Sequence, residues 1–94
     1  MTDKLGKTMF VGDVIAYAAA NHHRGVMRVG VIVKHHPAKE YTSERITTKF
    51  FTKGADNEWQ VSTGVPETSQ CIGLDVTELD EDLQKEIEKV QASI

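Results

Sequence analysis

Two histidine pairs, His22-His23 and His35-His36, one thiol at Cys71, the hydroxyls of Ser62, Thr63 and Ser69, and Asp13 behind Gly12 are the groups that could do chemistry. A zinc centre needs several nitrogen or sulfur donors converging on one point. Neighbouring histidines on a strand point to opposite faces, so each pair supplies one ligand with ease. As the two ends of one extended strand, the pairs stand about 40 Å apart. No cysteine or carboxylate pattern completes a set, so no metal is expected, and the histidines are read as a pH-responsive surface.

A nucleophilic cysteine needs a base and an electropositive setting. Nothing in the sequence places a histidine beside Cys71, which is expected to be a half-buried structural thiol. The hydroxyls lie in no nucleophile elbow, and there is no phosphate loop, dinucleotide fingerprint or HExxH. Asp13 is most simply a turn residue. These absences lead us to expect no catalytic residue, no cofactor and no enzyme.

The 94 residues fit one domain, and a chain of this length buries about 60–65% of its unfolded surface. A hydrophobic fraction of 39% with 27% charged residues suits a folded globular protein. No apolar run is long enough for a transmembrane helix, so no membrane partner is expected. The first residues, MTDKL, lack a secretory pattern, and a single cysteine suits a reducing compartment, so the expected location is cytoplasmic.

The net charge of −3 hides an asymmetry. Residues 77–94 carry six acids and two lysines, whereas His22 to Lys53 holds seven lysines and arginines and two glutamates. A basic middle and an acidic tail form separate faces or neutralise each other by packing.

The elements that must position these groups read mostly as strands. Residues 1–9 are polar and expected to form a flexible N-terminus. VIAYA (14–18) follows the Gly12-Asp13 turn as an apolar strand, and Asn21 to Gly25 is a polar loop. Met27, Val29, Val31 and Val33 alternate with Arg28, Gly30, Ile32 and Lys34 in a second strand closed by Pro37. Gly30 inside it predicts a bend or a close backbone approach. Ser43 to Lys53 is a third strand, with Ile46, Thr48 and Phe50 on the core face. A turn at 54–57 returns Glu58 to Ser62 as a fourth strand, with Lys53 expected opposite Glu58, Thr52 opposite Trp59 and Phe50 opposite Val61. Cys71 to Val76 is a fifth strand. From Asp80 the apolar stripe Leu79, Leu83, Ile87, Val90 and Ile94 marks an amphipathic helix, capped by Asp80 or Thr77.

The expected fold is therefore mainly β with one C-terminal helix: a small, five-stranded, SH3-like, partly open barrel over residues 10–76, capped by an amphipathic acidic helix over 77–94. VGDVIAYA, a polar loop and MRVGVIVK resemble the small SH3-like barrel proteins of tailed bacteriophages, mainly across residues 10–36. The stretch also resembles the KOW-type modules of ribosomal proteins and transcription factors, in which a Gly-centred β-turn-β element contacts RNA or protein.

The phage resemblance implies a non-enzymatic binding protein, phage-encoded, that binds a host protein or complex in the host cytoplasm to modulate or inhibit it, as host takeover or anti-defence. Its expected partner surface combines the acidic helix residues Glu78, Glu81, Asp82 and Glu86 with the loop residues His22, His23 and Arg24. The KOW resemblance implies an alternative, RNA or DNA binding on a basic outer strand face of Arg28, Lys34, Arg45, Lys49 and Lys53, with Phe51 to stack a base. A weaker third reading is a small enzyme or ligand binder with a site on the 20–25 loop. The long helical stripe also allows a homodimer.

Overall fold

The computed structural model describes residues 1–21 and 24–94, and side chains outside 19–26. Five antiparallel strands form one open sheet: β1 (Val14–Asn21), β2 (Arg24–His36), β3 (Arg45–Lys53), β4 (Trp59–Gly64) and β5 (Cys71–Gly73), in the order β4-β3-β2-β1-β5. One helix, α1 (Glu81–Ala92), follows. Five strands and a C-terminal helix are what the sequence leads one to expect, with different bounds. The β1 and β2 ladder runs through the alanines to Asn21 and Arg24, and β5 is only three residues long.

Both faces of this sheet are apolar. On one, Ile15, Tyr17, Ile32, Ile46, Phe50 and Cys71 pack with Met9. On the other, Val14, Val31 and Phe51 pack with Leu83, Ile87 and Val90 of α1. This is why Val14 to Tyr17 is an unbroken apolar run: consecutive side chains enter opposite cores, and all four are buried. The chain after β4 turns back along the start of β3, where Ile46 N–H donates to Pro66 O and Thr68 N–H to Glu44 O. A single turn of 3-10 helix, Thr68–Gln70, then leads into β5.

One buried polar residue ties the first core together. Thr48 is fully buried; its hydroxyl donates to Gly64 O at 3.2 Å and accepts from Tyr17 Oη at 3.1 Å. Beside it Gly30 crosses under β3, where an added Cβ would lie 2.8 Å from Lys49 O, the close approach expected of that glycine.

Three local features depart from the sequence reading. The β3–β4 register is one residue off: Lys53 pairs with Trp59, Thr52 with Gln60, Phe51 with Val61 and Phe50 with Ser62. The turn takes an extra residue because Asn57 adopts a left-handed φ of 62°, its N–H donating to Gly54 O while Gly54 N–H donates to Glu58 O across the mouth.

In β2 the register shifts between Ile32 and Lys34, so Val33 is an inserted residue. A bulge reverses the alternation beyond it. Lys34 and His36 therefore share the face of Thr47 and Arg45, opposite to Arg28.

Residues 1–9 were expected to be a flexible tail. Instead they form a closed loop docked against β5. Asp3 Oδ1 accepts the N–H groups of Leu5 and Lys7, its Oδ2 accepts that of Gly73 at 2.9 Å, and Lys4 N–H donates to Cys71 O. Met9 anchors the loop in the core, so a polar stretch gains an apolar foot and a satisfied carboxylate.

α1 buries Leu83, Ile87 and Val90, while Ile94 at the end of the stripe stays 54% exposed. Asp80 occupies the N-cap without a side-chain bond, and it is Asp75 that caps, accepting from Thr77 N–H and Oγ1 in the short turn before the helix. Gln91 Nε2 donates to Gly12 O, pinning the end of α1 to the turn before β1.

Candidate functional site

An open cleft of about 800 Å3 lies where β2 ends and β3 begins. Its walls are Lys34, His35, His36 and Pro37 from β2 and its exit, Lys39, Thr42 and Ser43 from the connection, Arg45 and Thr47 from β3, and Val65. The sequence builds it in three steps. The bulge at Val33 turns Lys34 toward this side, Pro37 ends β2, and Lys39 and Thr42 exchange backbone hydrogen bonds in a tight turn. That turn leaves Tyr41 almost wholly exposed at the rim.

The electrostatics of the cleft are one-signed. Three permanent cations and two imidazoles line it, and no carboxylate does. Two acids behind the lining pair with its walls. Glu44 takes His35 Nε2 on Oε2 at 2.9 Å and the Thr68 hydroxyl on Oε1 at 2.9 Å; Glu67 stands 3.9 Å from Arg45 Nη2. The hydrogen bonds from His35 and then Thr68 hold the Glu44 carboxyl below the usual range. His36 Nε2 is 2.7 Å from Thr47 Oγ1, which fixes that ring against β3. Among the described residues, Lys34 and Lys39 make no ion pair. Such a surface can hold an anionic group by charge and hydrogen bonding.

The basic strand face expected from the sequence is divided. Lys34 and Arg45 lie in the cleft. Lys49 and Lys53 follow on the same face of β3, both exposed, with Lys53 Nζ 5.5 Å from the centre of the Trp59 ring. Arg28 is on the opposite face, its guanidinium 4.1 Å from the centre of the Phe50 ring. Phe51, expected to stack a base, is 5% exposed beneath α1 and unable to do so. The period-two reading identified its strand face correctly but missed the helix that covers it.

Of the acidic set, Glu78, Glu81 and Asp82 are exposed, and Glu86 is half-buried and paired with Lys89 at 3.2 Å. His22 and His23 lie outside the described residues; Arg24 pairs with Asn21 at the head of β2, with its side chain also outside them. No group of three or more histidine, cysteine or acidic residues able to hold a metal occurs among the described residues. Cys71 is fully rather than half buried. Its thiol donates to Glu67 O at 3.4 Å, and burial, with Asp3 nearby, pushes its pKa up to about 11. Sequence reasoning had not grouped Lys39, Thr42, Ser43, Thr47 and Val65 with the ends of β2 and β3. The basic residues clustered on either side of Pro37 were the available signal.

The fold and the cleft define a small β-sheet protein with one helix and a cleft lined by cationic side chains. The chain belongs to the family described as Domain of unknown function (DUF7205), which matches residues 1–71 and so takes in every wall of the cleft. No curated protein matches the chain, and no solved structure does. No helix among the described residues is long and apolar enough to cross a membrane.

Proposed function

We propose that this protein is a non-enzymatic binding module, phage-encoded, that engages a host protein in the host cytoplasm and modulates or inhibits it, as in host takeover or anti-defence. The observation that carries the binding reading is the cleft between β2 and β3, where Lys34, Lys39, Arg45, His35 and His36 surround one concavity free of carboxylates. It suits an acidic segment of a partner protein. The resemblance to small barrels of tailed phages supports the host assignment. The exposed acids Glu81 and Asp82 on α1, with Glu78 in the turn before it, offer a second contact surface of opposite sign.

The test is recovery of partners from bacterial lysate on the tagged chain, with and without nuclease, read by mass spectrometry. A stoichiometric protein that survives nuclease, and is lost from a K34E/K39E/R45E variant, supports the reading. Retention by that variant with loss on E81K/D82K moves the contact to α1. Recovery that vanishes with nuclease favours KOW-like RNA or DNA binding, for which the observation is that Lys49 and Lys53 extend the cleft's charge along β3. In that case affinity falls steeply with salt.

A further inference from the structure

The two edges of the sheet are treated differently by the fold. At one, β5 is three residues long and its outer side is occupied by the N-terminal loop, through Lys4 N–H on Cys71 O and Asp3 on Gly73 N–H. The other edge is β4, WQVSTG, six residues that pair only with β3. Proteins blunt such edges with short strands, lysine, proline, bulges or a covering segment. β4 has none of these: it contains no charged residue and no proline, and its register with β3 is unbroken.

The turn fixes which backbone groups face outward. Gly54 N–H donates to Glu58 O, so the pairs alternating from it, Thr52–Gln60, Phe50–Ser62 and Thr48–Gly64, are the hydrogen-bonded ones. The N–H and C=O groups of Trp59, Val61 and Thr63 therefore point away from the sheet. Among the described residues none of them makes a hydrogen bond outside the strand ladder. They recur every second residue over about 14 Å.

We propose that β4 is a homodimer interface, on which a second copy of this chain adds its own β4 antiparallel about a two-fold axis at Val61. The strand is self-complementary in that arrangement. Val61 meets Val61, Trp59 meets Thr63, and the three outward N–H groups of each copy find the three outward C=O groups of the other. Since β4 carries no charge, no like charges oppose each other across the axis. A two-fold axis requires this kind of self-matching patch, and the union makes one continuous ten-stranded sheet. The docked edge at β5 keeps the sheet from extending further, so the assembly closes at two copies.

The experiment is sedimentation of the full chain over a concentration series, beside V61P and V61K. Val61 is 45% exposed, so neither substitution disturbs a core position. Proline removes the central N–H; lysine places two ammonium groups on the axis. The expected result is a species of twice the 10.4 kDa chain mass for the natural sequence and of 10.4 kDa for both variants, with unchanged far-ultraviolet circular dichroism. If V61P loses its dichroism, V61K alone decides. Hydrogen exchange is expected to protect the amides of residues 59, 61 and 63 as concentration rises. A natural chain that stays at 10.4 kDa throughout overturns the proposal, as does a dimer that persists in the folded variants, which would place the interface elsewhere.

Discussion

His35 Nε2 lies 2.9 Å from one Glu44 oxygen, and the other Glu44 oxygen receives the Thr68 hydroxyl at the same distance. One carboxylate thus joins the wall of the cleft to the turn before β5. Because these bonds lower its pKa in the folded state, the stabilisation is complete above the ordinary glutamate value of 4.5 and is lost as pH falls through the lower folded value. Thermal melts of the natural chain and E44Q between pH 2.5 and 7 are expected to differ at neutral pH and to converge as pH falls below 4.5 and through the lowered folded value. A gap independent of pH would remove Glu44 from this role.

Phe51 and its neighbour Lys49 share a strand face but not an environment, since α1 covers only the former. Phe51→Ala is expected to cost about 3–5 kcal/mol of unfolding free energy in urea. Lys49→Ala should stay within about 0.5 kcal/mol. Equal, small effects would mean that α1 does not rest on Phe51 in solution.

Gly30 has no room for a methyl group, with Lys49 O at 2.8 Å and Phe50 Cα at 3.1 Å from where it would sit. Both obstacles are backbone and cannot swing aside. Gly30→Ala is expected to lose about 1–3 kcal/mol by forcing β2 and β3 apart. Chemical denaturation reads this directly, and a neutral or stabilised variant would contradict the crossing.

The thiol of Cys71, raised to about 11, is almost entirely protonated at pH 8 and has no exposed surface. Ellman's reagent is expected to label the native protein only at the rate of opening, and at once in 6 M guanidinium. Immediate labelling of the folded chain would show that β5 does not bury it.

Element type was legible because the local signals agree. Alternation marked β2 and β3, Pro37 ended one of them, and the stripe from Leu79 to Val90 marked the helix. What escaped was whatever one residue of offset controls. The bulge at Val33 adds a residue that alternation alone cannot detect, so Lys34 and Arg28 were placed on the same side. Asn57 in the left-handed region likewise moved the β3–β4 register by one. The site suffered more than the fold, since the cleft depends on which way side chains point after the bulge and on a connection, 37–44, that has no periodic pattern. The N-terminal loop escaped for a different reason: its anchors, Asp3 to Gly73 and Met9 to the core, are long-range and leave no local trace.

That long-range tie bears on synthesis. The Asp3 carboxylate and its Gly73 partner are 70 residues apart in sequence, and Lys4 meets Cys71 across nearly the same span. Contacts of such separation carry the largest loop-closure entropy and form late in folding. While the ribosome is still making β2 to β4, Asp3 and Lys4 have no β5 to bond to. The sheet's guarded edge is closed only once β5 exists, by residues that precede every strand.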